Sequence, residues 1–134
     1  MTGVQTCALP ISLAADYYQR FITPERRPPL IQSLWADGQY ESETTAAVRR
    51  YAEQAGLAFE RDIARGAPPD HLGAELTLWA ELAGPWPEGA ARFVESHLRW
   101  AAAPLRAQAD EKAGDAPAFY GEVCAATAEL IERM

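Results

Sequence analysis

Apolar positions along this chain recur at three- and four-residue intervals and never alternate with polar ones for long, a pattern that predicts helices and no sheet. Leu13 to Ile22 reads as the tail of a helix. Pro24, Pro28 and Pro29 then enforce an extended loop, because each disfavours helix in the residue before it. Ser42 or Thr44 caps a helix running to about Ala55, with Val48, Tyr51, Ala52 and Ala55 on one face and Gly56 as its stop. Leu57 to Arg65 forms a short helix ended by Gly66 and the Pro68-Pro69 pair.

Asp70 is the expected N-cap of the next helix, which runs to about Ala83 and stops at Gly84-Pro85. At about 100° per residue, Leu72, Leu76, Trp79 and Ala83 share one strip, with His71, Glu75, Leu78 and Leu82 on the strip beside it. A fourth helix begins near Glu88 and carries Phe93, His97, Leu98, Trp100 and Ala101. Pro104 should kink or break it, leaving Leu105 to Ala113 as a separate turn or two. Gly114-Asp115-Ala116-Pro117 is a further stop and start, with Asp115 as cap. The last helix puts Phe119, Tyr120, Val123, Cys124, Thr127, Leu130 and Ile131 on one stripe.

Composition changes the picture at the N-terminus. Thr2 to Ile11 is the in-frame translation of a short-read library adapter, ACT GGA GTT CAG ACG TGT GCT CTT CCG ATC. Residues 1–12 are therefore expected to be an artefactual segment, with residues 13–134 the native part of a gene cut at its 5′ end. A secretory signal is the poorer reading, because Met1 to Ser12 has no Lys or Arg and Pro10 interrupts its short apolar stretch.

What remains is long enough for one modest domain. Alanine, leucine, glutamate and arginine are common and β-branched residues sparse, which supports an all-α fold. The net charge of −7 disfavours duplex nucleic acid and anionic membrane as partners. Cys7 lies in the adapter, so Cys124 alone cannot build a disulfide framework, which fits a cytoplasmic protein. No apolar run is long enough to span a bilayer.

Four ordered elements then carry a resemblance. Pro69-Asp70-His71-Leu72 followed by Glu75-Leu76 resembles the Pro-x-Asp-His-(Ile/Leu)-x-x-Glu-(Leu/Met) signature of TorD-like proteins, the chaperones of molybdenum-cofactor enzymes that include the DmsD and NarJ types. Ser33-Leu34-Trp35 resembles the family's Glu-Ser-Val-Tyr segment, with Gln32 for Glu and Trp35 for Tyr. Phe93, His97, Leu98 and Trp100 follow its Phe-x-x-x-His-Leu-x-x-Trp run, with the Trp one position early, and Phe119-Tyr120 opens the last helix as it does there.

The resemblance implies a single helical domain of the TorD-like type that lacks its N-terminal helices. It implies a cytoplasmic chaperone, not an enzyme and with no cofactor of its own. Such a chaperone binds the twin-arginine signal peptide of a molybdoenzyme, aids cofactor insertion and delays export until maturation. Some members bind guanine nucleotide, and monomers or helix-exchanged dimers both fit. Asp70, His71, Glu75 and Trp86 are the candidate peptide-binding residues. Asp70 offers a carboxylate to a guanidinium, and Trp86, between two prolines, is harder to bury than a helical Trp.

Other readings stand beside these. Asp70 serves as an N-cap whether or not it meets a peptide, a role worth about 1 kcal/mol. His71 and Glu75, four apart, are the right types for a metal pair, and a small metal- or nucleotide-dependent helical hydrolase built on Asp70, His71 and Glu75 is the alternative function. A local hydrogen bond between His71 and Glu75 is the plainer expectation. His97 reads as a satisfied core or groove histidine, Cys124 as a small buried hydrophobe, and the tryptophans other than Trp86 mostly as core.

Overall fold

The computed structural model describes residues 29–64, 66–110 and 119–134. The helix tail expected at Leu13 to Ile22, the proline loop before Pro29 and the cap at Asp115 lie outside them. Among the described residues every regular element is helical, and the sole β feature is an isolated bridge between Ile31 and His71. No helix there is long and apolar enough to cross a membrane.

Helix α1 (Gln32–Asp37) was not legible in the periodicity, being six residues long. It ends at Gly38, whose φ of 73° is a left-handed cap that glycine adopts without steric cost. Helix α2 (Glu43–Gln54) begins as expected, with the Ser42 hydroxyl accepting from the Thr44 amide. Val48 and Ala52 on α2 are fully buried. The short segment that follows is a π-helical turn, Glu60–Ala64.

Helix α3 (Leu72–Ala83) has the predicted span but not the predicted cap. His71, not Asp70, caps it, with Nδ1 accepting from the Gly73 amide at 3.0 Å. Helix α4 (Pro87–Phe93) starts with proline in its first turn, where a missing N–H costs nothing. It runs into a π-helical turn (Val94–Leu98) and a 3-10 turn (Arg99–Ala101) before helix α5 (Ala102–Asp110). The irregularity expected at Pro104 therefore falls upstream of it. Pro104 sits in the first turn of α5, where an absent N–H is harmless.

Helix α6 (Phe119–Arg133) packs along α5, and α3 packs on α4. The α6 stripe is narrower than its apolar residues suggest. Gly121, Cys124, Ala128 and Ile131 are buried, whereas Phe119, Val123 and Leu130 are exposed. The core joins Val48 and Ala52 to Leu78, Leu82, Phe93 and Leu98, with Ala128 and Ile131 from α6. The tryptophans expected in the core are less buried than that: Trp79 and Trp100 pack against it only in part, and Trp35 is exposed, while Trp86, expected at a groove, is itself partly buried against the core.

Candidate functional site

The Asp-His pair joins two helix starts. The Ile31–His71 bridge is formed by the Gln32 amide donating to the Asp70 carbonyl and the Leu72 amide to the Leu30 carbonyl, both at 2.9 Å. From this clasp the Asp70 side chain turns away from its own helix. Its Oδ2 accepts from the Ser33 amide at 2.7 Å, so Asp70 caps α1 across 37 positions of sequence. The residue is 1% exposed. A six-residue helix with no local side-chain cap thus receives its cap from a distant loop.

Beneath the clasp lies a buried polar cluster. Gln32 donates through Nε2 to the Ser96 carbonyl, and its Oε1 lies 3.0 Å from Nδ1 of His97. An amide oxygen only accepts, so His97 donates from Nδ1 and is the neutral tautomer with its hydrogen there. The π-helical turn makes this possible. It redirects backbone carbonyls that an α-helix would consume, and side chains answer two of them, Gln32 at Ser96 and Trp100 at His97. His97 is 5% exposed and packs edge-on to Tyr51, with Phe93 alongside. Burial lowers its pKa to about 4, against the opposing pull of the Asp70 charge.

Glu75 completes the cluster. Its side chain is fully buried, Oε1 accepts from the Trp100 indole N–H at 2.9 Å, and Oε2 has no partner among the described residues. Burial raises its pKa to about 10; the Trp100 hydrogen bond opposes that shift and the nearby Asp70 adds to it. Glu75 is therefore a neutral acid near pH 7. The expected His71–Glu75 hydrogen bond does not form, because each side chain is committed elsewhere: His71 to the Gly73 amide and Glu75 to Trp100. Burial also lowers the pKa of His71, with the Asp70 charge opposing.

His71 is only half-buried and borders a cavity of about 460 Å³ between α3 and α6. Leu30, Leu72, Leu76, Leu105 and Val123 give that cavity its aliphatic walls. Of the four sequence candidates, His71 alone is among its lining residues. Asp70 and Glu75 are buried and bonded to Ser33 and Trp100, and Trp86 packs elsewhere. The Trp86 ring lies 5.9 Å from Tyr51, carries Arg92 over its face at 5.2 Å, and covers Gly89 so closely that a Cβ there would fall 2.0 Å from the indole.

The described geometry does not gather Asp70, His71 and Glu75 into the metal centre that the hydrolase alternative needs. Two of its three residues are buried, the third uses Nδ1 as a helix cap, and among the described residues no group of three His, Cys, Asp or Glu side chains is placed to hold a metal. Sequence reasoning missed Gln32 and Ser33 as partners of His97 and Asp70. The signal was present in the Gln-Ser pair at the head of the family-like segment, but nothing local shows where those groups bond.

A protein-family model described as nitrate reductase delta subunit matches residues 8–110, beginning inside the segment read as adapter and ending before α6. No curated protein and no solved structure matches the chain.

Proposed function

The chain belongs to the nitrate reductase delta subunit family, and we propose that it captures the twin-arginine signal peptide of a molybdenum-cofactor oxidoreductase. The family comprises redox-enzyme maturation chaperones that bind molybdoenzyme subunits and are not themselves catalysts. In this reading the chaperone works in the cytoplasm, holds the apoenzyme while cofactor is inserted, and delays export until maturation is complete.

The observation that carries the reading is the aliphatic cavity with His71 at its border. A signal peptide offers an apolar stretch, and a cavity walled by leucines beside a helix start suits a short apolar helix or an extended strand. His71 meets the peptide, while Asp70 holds the start of α1 and Glu75 ties α3 to Trp100. Trp86 is assigned to packing against Tyr51 and Gly89.

Titrating the signal peptide of a molybdoenzyme encoded beside this gene against the chain should give saturable binding. His71→Ala should weaken it, and Leu76→Glu should abolish it. Absence of binding across several such peptides would overturn the proposal.

A further inference from the structure

A second recess, of about 500 Å³, lies between α1 and α5 and is walled by Trp35, Ala36, Trp100, Ala103, Pro104 and Ala107. Its two indoles are held in place. Trp35 is 38% exposed, yet its Nε1–H donates to the Pro29 carbonyl at 2.9 Å. Trp100 donates to both Glu75 and the His97 carbonyl. With both indole donors committed to protein acceptors, the recess is left with ring surface and methyl groups. Such walls suit an apolar side chain or the face of a cation.

The same turn of α1 carries Asp37, next in sequence to Ala36; Asp37 borders a separate polar recess together with Glu43 and Ser96. Glu43 is paired with Arg50. Asp37 accepts the Ser42 and Thr44 hydroxyls, both on Oδ2 among the described residues, and these bonds hold its carboxyl below the usual range and so ionised. Among the described residues, no Lys or Arg lines either recess.

We propose that the α1–α5 recess seats an apolar side chain of a basic peptide segment, with the Asp37 carboxylate taking the neighbouring cation. The inference rests on the peptide-binding reading above and assigns the basic end of that peptide to α1 instead of to the buried Asp70. Charge decides the occupant. A chain of net charge −7 repels a second copy of itself and an anionic lipid surface, and attracts a segment that carries arginines.

The test uses the whole chain and a labelled synthetic peptide with an Arg-Arg pair followed by a leucine run, read by fluorescence anisotropy. Ala103→Leu fills the recess from an exposed position of α5 and should weaken binding by about tenfold. Ala107→Leu, one turn further along, should do the same if the first variant folds poorly. Asp37→Asn should weaken binding at low salt and flatten its salt dependence. With a peptide whose arginines are replaced by glutamine, Asp37→Asn should change nothing.

Wild-type binding that all three variants leave intact would overturn this inference and leave the peptide reading standing. A wild-type chain that binds no such peptide would overturn both. If Ala103→Leu abolishes self-association in sedimentation while leaving peptide affinity unchanged, the recess is an interface between copies and the proposal is wrong.

Discussion

The α1–α3 junction and the α3–α6 cavity meet at His71, yet they are built in opposite ways. The junction is polar and buried, and its bonds run between residues far apart in sequence: Asp70 to Ser33, Gln32 to His97, Trp100 to Glu75. The cavity is aliphatic, and its walls are the edges of helical stripes whose other edges form the core. A buried polar network fixes one geometry, because any displacement leaves a group unpaired. An aliphatic wall accepts displacement at little cost and keeps surface for a ligand. The junction thus fixes how the helix starts meet, and the cavity is the surface that the proposed reading gives to the peptide.

The contrast breaks most sharply at Asp70. Asp70→Leu removes the only side-chain acceptor that the described residues offer at the start of α1 and takes from the buried Ser33 amide its partner. The expected loss is about 2 kcal/mol, the cost of leaving that buried donor without its cap, read as a lower urea midpoint at unchanged slope. Hydrogen exchange at Ser33 should accelerate more than exchange within α3. Unchanged protection of Ser33 would show that α1 does not depend on this cap.

Next in size is the response to pH. The Glu75 carboxyl is raised from 4.5 to about 10, so between those values the folded chain keeps a proton that the unfolded chain has released. Its contribution is complete below pH 4.5 and is lost as pH rises through about 10. His97, lowered from 6.5 to about 4, acts with the opposite sign. Its contribution is complete above 6.5 and is lost as pH falls through about 4. Between 4.5 and 6.5 the Glu75 slope is opposed by that of His97, to which His71 adds, and above 6.5 Glu75 acts alone among the described residues. Stability should therefore fall from near neutrality towards pH 9 by on the order of 1 kcal/mol per pH unit. Glu75→Gln should flatten that alkaline limb. A slope that survives the substitution would assign it to another group.

Trp100→Phe is a gentler cut in the same network. It keeps most of the ring volume but deletes the donor shared by Glu75 and the His97 carbonyl. About 1 kcal/mol should be lost, and the alkaline limb should move to higher pH, since the Glu75 carboxylate loses its only hydrogen-bond donor among the described residues. Equal stability at every pH would mean that the indole N–H contributes nothing beyond packing.

The same contrast explains what the sequence made legible. Periodicity predicts α2, α3 and α6 because their apolar residues recur at helical spacing, even though α6 buries only part of its stripe, and Ser42 is recognisable because it caps a helix two residues away. It missed α1, whose six residues are too few for a period and whose cap comes from Asp70. The Asp70 assignment failed for the same reason: local statistics place an aspartate before a helix at that helix's own start, whereas here the histidine one position later takes the role. Pro104 was given a break that belongs to the π-helical and 3-10 turns before it. Of the site, the Asp-His motif was visible, but its division into a buried support and a side chain bordering the cavity depends on a chain crossing that no spacing encodes.

The smallest effect on stability should come from the cavity wall. Val123 lies on α6, borders the cavity and is exposed, so Val123→Ser deletes methyl groups that water already reaches in part. Unfolding free energy should change by less than about 0.5 kcal/mol, as for other surface positions without buried partners. Peptide affinity should respond more. An apolar stretch seated against α6 covers that side chain, and removing it costs roughly 1 kcal/mol of burial, about a fivefold rise in Kd. The pairing of outcomes is what discriminates: Asp70→Leu moves stability first, Val123→Ser moves binding alone. If Val123→Ser destabilises the fold as strongly as it weakens binding, the cavity wall is part of the core, and the division between a shape-setting junction and a binding cavity fails.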